Sequence, residues 1–453
     1  MPTIVKCGTL FTGEQEKLEK NRCLIVDDGR VTDIKTTVED VSRSAGPNVL
    51  DYSKYFVMPG LCDYHTHLGY GNAKTEEDID LYAPVEFRAL RGLFMAQKTL
   101  SAGITSICNP GGPGRVGIAI REAINSGMFD GPRVTTTGPY ITSHQGLTDW
   151  YPTWIGQPET SIGHLVKTTD EAIAEIRAQV KDGVDAIKIA MDGTLNHSNP
   201  AKGSGLVAAF NQDETKRMIH EVHRLGKRTI VHARGKEAIL YSARAGADVI
   251  FHASWMDDEC LEAILQNKCA VCPSLTMIVN CYEFSQPSDA ASRGWSEFCR
   301  TEAETAFSNI SKARRAGVPI IAGSETGFAM TPYGEWHAKE LDLMVRFLGM
   351  SAIEALQVAT AITGRYLFDN GASGRIRVGS NADLVVVDGD PTRDVRVLLD
   401  KKRIKAVILG GRVIAPQARV VDPGRISDFS QQYWSDLYTQ ERVAQLESKR
   451  AIT

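Results

Sequence analysis

The sequence has no long hydrophobic run. Its first thirty residues hold no uninterrupted apolar stretch of the kind a secretory leader carries, and no later window approaches the roughly eighteen charge-free apolar residues of a membrane span. Neither a leader nor a membrane helix is expected, so the chain reads as cytoplasmic. Charge imbalance is small as well: 51 Lys and Arg stand against 55 Asp and Glu, a formal net charge of −4. The broad basic field that nucleic-acid binding needs is therefore missing. Cysteine supplies no framework, because nine is an odd number and only Cys269 and Cys272 form a CxxC. That pair lies inside the apolar run CAVCPSL and reads as a buried strand rather than a zinc or redox motif. Internal repeats and low-complexity segments are absent, and GGPG at 111–114 lacks the Lys-Ser/Thr that would make it a phosphate cradle. What remains is a 453-residue chain, 43% hydrophobic and 23% charged, close to the globular average and long enough for a large core plus an accessory domain. A small-molecule substrate is the partner this composition leaves open, and a homo-oligomer is expected on general grounds.

Short β-like runs broken by glycine turns fill residues 1–56, and the same texture returns over 368–425 in GRIRVGSNADLVVVDGDP and RIKAVILGGRVIAP. Each flank is too small to bury a core alone, so the two chain ends are expected to close into one small β-sandwich. Between them, over 57–367, eight apolar runs alternate with amphipathic stretches: VMPGLCDYH, GITSICN, RVTTTGPYI, VDAIKIA, RTIVHA, ADVIFHA, CAVCPSL and VPIIAG. Helices are expected over 169–182, 213–225 and 236–245, each ending near a glycine. This α/β pattern predicts a TIM-like (β/α)8 barrel with its chemistry at the C-terminal ends of the strands. Residues 426–453 read as a polar helical tail with Trp434 and Tyr438 one turn apart, packing on this chain or on a second copy.

The histidines fall at those strand ends. The first run ends in His65-Thr66-His67, where strand alternation sends both imidazoles to one face. The fourth carries Lys188, the fifth ends at His232, the sixth at His252, and the eighth leads into Ser324-Glu325-Thr326-Gly327. Imidazoles and a carboxylate suit zinc, cobalt, nickel or manganese, and a catalytic site keeps a position open for water. An ammonium cannot ligate a cation, so Lys188 either forms a salt bridge or reacts with carbon dioxide to a carbamate, an anionic bridging ligand.

With these residues in place, the chain resembles the amidohydrolase superfamily, and the resemblance runs through MPGLCDYHTHL, Lys188, VHARG, VIFHAS, AGSETG and SGRIRVGSNADLVVVDGDP. It implies a barrel with flanking β-sandwich segments and two divalent ions, zinc first. It further implies that His65 and His67 hold the more buried ion, His232 and His252 the other, and that a carboxylated Lys188 bridges them. Glu325 stands where the family usually has Asp. One more methylene leaves two readings, direct metal contact with proton transfer, or action through water. Deaminating members typically show HxxE after the strand-five histidine; here Ala233, Arg234 and Gly235 follow His232, which points to the two-metal hydrolytic branch. SETGFAMTPYGEWHAKELDLMV and the aromatic loop look most like the phenylurea (aryl-urea) and thiocarbamate (molinate) hydrolases, and next like prolidase-like peptidases and ochratoxin-type amidases.

The expected reaction is hydrolysis of an amide, urea or carbamate C–N bond by a hydroxide held between two ions about 3.5 to 4 Å apart. Glu325 would carry the proton to the departing nitrogen, and His144 would donate to the oxyanion unless a backbone group satisfies it. Trp150, Tyr151 and Trp154 suggest an aromatic wall for an aryl substrate, or an oligomer contact. Arg234 would fork onto a substrate carboxylate or pair with a loop Asp. Tyr333 and His337 are candidates for the same pocket. Two competing readings are a scaffold that has lost catalysis, and a one-metal hydrolase in which Lys188 is an ordinary ion pair.

Overall fold

The computed structural model describes residues 2–36, 48–193, 206–284, 296–368, 371–414 and 437–450. The N-terminal part forms strands β1 (Thr3–Leu10), β2 (Glu19–Asp27), β3 (Arg30–Lys35) and β4 (Asn48–Pro59). The middle forms β5 (Leu61–Asp63), β6 (Ile104–Asn109), β7 (Arg133–Thr136), β8 (Tyr140–Thr142), β9 (Gly163–Leu165), β10 (Ala186–Ala190), β11 (Arg228–Ala233), β12 (Val249–His252) and β13 (Ala270–Cys272). The C-terminal part adds β14 (Leu384–Val387), β15 (Ile404–Leu409) and β16 (Arg412–Ile414).

Both chain ends meet in one seven-stranded sheet, ordered β16-β15-β14-β4-β1-β2-β3. The join is β14 lying antiparallel to β4, with Val386 opposite Val57. Alternation explains the unbroken apolar run of β14. Leu384 and Val386 enter the sheet's own core with Val57 and Leu24, while Val385 and Val387 face the barrel core with Phe56 and Met58. The chain passes from sheet to barrel at Gly60, where a Cβ would lie 1.9 Å from Thr105 Oγ1, so only glycine fits.

The barrel closes in two arcs. Strands β5, β6 and β7 pair in parallel, as do β8, β10, β11, β12 and β13. At one seam, Asp185 N donates to Thr136 O across 2.9 Å. At the other, the eighth run bonds Val271 on one side, with Ile321 N to Val271 O at 2.9 Å, and accepts Tyr64 N at Ala322 O across 2.8 Å. That run forms only an isolated bridge, Val271 to Ile320, because Pro319 has no N–H to extend the ladder. The third run divides at Gly138-Pro139 into β7 and β8, since a proline cannot donate to the ladder there. The fold is thus a (β/α)8 barrel with a β-sheet unit built from both chain ends, as the sequence predicts.

The helices begin where capping chemistry dictates. Thr168 caps Thr169–Asp182, which ends at left-handed Gly183, and Asn211 with Glu214 forms a capping box on Gln212–Arg224. The terminal helix Gln440–Arg450 follows a segment that packs on the same chain: Trp336 Nε1 donates to Tyr438 O at 2.8 Å, and Gln440 N donates to Glu335 Oε2 at 3.1 Å. Trp434, with 415–436 and 451–453 of the expected sandwich and tail, lies outside the described residues. All nine cysteines are buried and free, Cys272 within β13. Among the described residues no helix is long and apolar enough to cross a membrane.

Candidate functional site

His65 and His67 leave the end of β5 with their rings 4.8 Å apart, both buried. Asp63 staples this segment to the loop bearing Glu325. Its carboxylate accepts His65 N at 2.9 Å and Ser324 N at 3.0 Å, and it meets His337 Nδ1 at 2.7 Å. The ligand atoms of His65, His67 and Glu325 accordingly lie within 4.8 Å of one another. His252, ending β12, has its ring 4.6 Å from that of His232 on β11 and 5.6 Å from that of His65. Lys188, fully buried on β10, places Nζ 3.5 Å from the centre of the Phe251 ring. The four histidines, the lysine and the glutamate are therefore brought to one end of the barrel.

Backbone strain collects at the same place. His252 (φ 69°), Ala253 (φ 52°), Ser274 (φ 54°) and Glu325 (φ 56°) all adopt the left-handed conformation that non-glycine residues avoid at a cost of about 1–3 kcal/mol each. The surroundings hold them there: Glu340 accepts the N–H groups of Leu275 and Thr276 at 3.0 and 2.8 Å, fixing the turn after Ser274.

Partners outside the cluster orient the imidazoles. His65 Nδ1 pairs with Ser274 Oγ at 2.7 Å, which leaves its Nε2 for the centre; His67 Nδ1 pairs with Gly111 O at 3.4 Å, and its Nε2 has the Tyr140 hydroxyl at 3.4 Å. Tyr70 stacks on His67 at 4.2 Å. His232 Nε2 lies 3.5 Å from Asp192 Oδ2. Burial, with Lys188 adding to it, holds His67 down to about 3, and burial holds His65, His232 and His252 well below the usual histidine range, so the rings are neutral. Burial also lowers Lys188 to about 7, against the opposing pull of Glu325, and raises Glu325 to about 7, against that of Arg234.

Several of these groups have unmet polar demand. Lys188 Nζ, both ring nitrogens of His252 and Glu325 Oε2 are buried without a hydrogen-bond partner. Neutral imidazoles converging with a carboxylate form a donor set that suits a divalent cation. Arg234 belongs to the same mouth. It is 7% exposed, with Nε 3.4 Å from Glu302 Oε1 and Nη2 3.9 Å from Glu325 Oε2, and its buried Nε makes no hydrogen bond among the described residues.

Residues 56–414 match the model of the Amidohydrolase family. The chain belongs to that family. It is similar to ochratoxinase of Aspergillus niger, 25% identical over 432 residues that cover 91% of this chain and 86% of the relative. A solved Xaa-Pro dipeptidase with methionine bound in its active site superposes with a TM-score of 0.81 at 27% identity, covering 91% of this chain and 100% of that one. Molinate hydrolase shares the fold, with a TM-score of 0.74 at 20% identity over 93% and 96% of the two chains. This amidohydrolase is accordingly an enzyme that hydrolyses C–N bonds.

Other expected contacts of the amidohydrolase stand differently. His144 is half exposed, with Nδ1 3.4 Å from Asp149 Oδ2. Trp150 packs with Tyr70, Tyr140 and Phe328, but Trp154 is 84% exposed and does not join that cluster. The Tyr151 hydroxyl is buried without a hydrogen-bond partner, and burial and the nearby Asp80 both raise its pKa. Tyr333 and His337, expected in the same pocket, have their polar atoms engaged within the protein. The Tyr333 hydroxyl is spent on His67 O and Gly71 N, and His337 uses Nδ1 on Asp63 and Nε2 on Gly334 N. Both are buried beside the candidate ligands. Sequence reasoning missed Asp63, Asp192, Ser274 and Glu302. Asp63 and Asp192 lie two and four residues from expected ligands, which was their available signal; Ser274 and Glu302 join the site only through the fold.

Proposed function

We propose that the enzyme cleaves the amide bond of an N-acylated amino acid or a dipeptide, and that Arg234 receives the substrate's carboxylate. The observation that carries this substrate class is Arg234, 7% exposed beside the candidate ligands, whose buried Nε has no hydrogen-bond partner among the described residues. Burying such a cation is costly, and a planar carboxylate bound through two parallel N–H groups offsets that cost. The Xaa-Pro dipeptidase, by its name, cleaves dipeptides, which carry such a group.

His65, His67, Lys188, His232, His252 and Glu325 would hold two divalent ions, zinc first, with cobalt, manganese or nickel also suited to these donors. Bound ions would polarise the scissile carbonyl and acidify a water. Lys188 would take part as its carbamate, formed when Nζ adds to carbon dioxide and loses a proton; its unpartnered Nζ supports this. Glu325 Oε2, likewise unpartnered, would accept the proton of the attacking water and deliver it to the departing nitrogen. With Nδ1 of His144 turned to Asp149, its Nε2 is the nitrogen left to donate to the developing oxyanion.

The aryl-urea or thiocarbamate reading keeps one support, Trp150 in the aromatic cluster that stacks on His67. Turnover of N-benzoyl-L-phenylalanine, N-benzoylphenethylamine and N,N-dimethyl-N′-phenylurea separates the two. A kcat/KM at least about 100-fold higher for the acid than for either neutral compound is expected; turnover of the urea without the acid would overturn the proposal.

A further inference from the structure

Glu302 is a buried acid at the barrel mouth that the reaction outlined above leaves unused. It comes from the helix Ser296–Arg315, on the inward stripe with Cys299, Ala303, Ala306 and Ile310, and is fully buried. Its position is fixed from two sides. Oε1 accepts Ser254 Oγ at 2.7 Å, two residues beyond His252, and Asn309 of the same helix donates to Ser254 O at 2.9 Å. Trp255 N in turn donates to Arg234 O at 3.0 Å, so the β12 end, the helix and Arg234 share one frame.

Within that frame the guanidinium is suspended between two carboxylates, 3.4 Å from Glu302 and 3.9 Å from Glu325. Neither approach is a hydrogen bond. A cation in low dielectric moves to the nearest unbalanced anion. Without Glu302 that anion is Glu325, and pairing there would turn the guanidinium towards the ligand cluster and engage the acid needed for proton transfer.

We propose that Glu302 is a positioning residue that holds the Arg234 guanidinium back from Glu325 and open to the carboxylate of the substrate. This rests on the reading of Arg234 given above. By this account, selectivity for acidic over neutral amides depends on a side chain that touches neither substrate nor reacting atoms.

The test is steady-state kinetics of the metal-loaded enzyme with N-benzoyl-L-phenylalanine and N-benzoylphenethylamine, for wild type, Glu302→Gln, Arg234→Gln and the double variant. Glu302→Gln is expected to lower the acid-to-neutral ratio of kcat/KM about tenfold, through KM for the acid, and to change that ratio no further once Arg234 is replaced. A ratio within twofold of wild type, or an equal fall in the Arg234→Gln background, would overturn the proposal, as a general structural role would predict. If Glu302→Gln does not fold, Glu302→Asp, which keeps the charge on a shorter arm, should give an intermediate ratio; an unchanged one overturns the proposal. Should wild type and Arg234→Gln both lack preference for the acid, the carboxylate reading itself fails and the role of Glu302 with it. That outcome is distinct from a wild-type preference that survives Glu302→Gln.

Discussion

The junction of the flanking sheet with the barrel and the barrel mouth are made from similar apolar strands and treat buried carboxylates in opposite ways. At the sheet's junction with the barrel, buried Asp383 is fully met, with Arg133 donating at 2.6 and 3.1 Å and Gly410 N at 2.9 Å. The backbone of β14 runs in regular register with β4 and nearly so with β15. At the mouth, Lys188, His252 and Glu325 hold polar atoms without partners, and four non-glycine residues sit in left-handed backbone. The difference separates two jobs: the sheet supplies stability, and the mouth spends some of it on groups held for a ligand.

Substitutions should therefore change sign between the two regions. The largest expected effect is at the mouth. Lys188→Met should lower kcat/KM by at least about a thousandfold, yet make the metal-free protein more stable by about 1–3 kcal/mol in urea titrations, because a buried amine without a hydrogen-bond partner is replaced by an apolar chain of similar volume. A metal-free variant less stable than wild type would break the comparison. In the sheet, Leu384→Ala removes a fully buried side chain and should cost about 2–5 kcal/mol, with kcat/KM of the folded enzyme within twofold of wild type. Asp383→Asn weakens the bidentate pair with Arg133 and should cost about 2 kcal/mol, again with activity kept.

The smallest effect lies outside both regions, on the outer helix Gln212–Arg224. Hydrogen bonds from Arg224 and Arg177 hold Glu221 down to about 2, from an ordinary value of 4.5. A depressed carboxylate contributes stability above its unfolded value and loses it as pH falls through the folded one. Glu221→Gln should thus cost no more than about 1 kcal/mol at neutral pH, a deficit that shrinks as unfolding is followed from pH 5 towards 2.

Much of this organisation was legible in the sequence, for a definite reason. His65, His67, Lys188, His232, His252 and Glu325 sit in or just beyond apolar runs, and a parallel barrel brings such ends to one face whatever the loops do. The split of RVTTTGPYI and the irregular eighth run were signalled by Pro139 and Pro319, but apolar pattern alone does not say where a ladder breaks. The internal partners of Tyr333 and His337 were not legible, because nearness in sequence to the eighth run does not tell inward from backward. Glu302 was hidden more deeply: on its helix the neighbouring acids Glu297 and Glu304 look the same, and its marker is a place on the apolar stripe with Cys299 and Ala303.

The most direct test of the mouth as a metal centre is elemental analysis of purified wild type beside Lys188→Met, with activity on N-benzoyl-L-phenylalanine measured on the same samples. The account predicts two divalent equivalents per wild-type chain, falling to one or none in the variant together with activity. Equal metal content and equal turnover in the two proteins would contradict it.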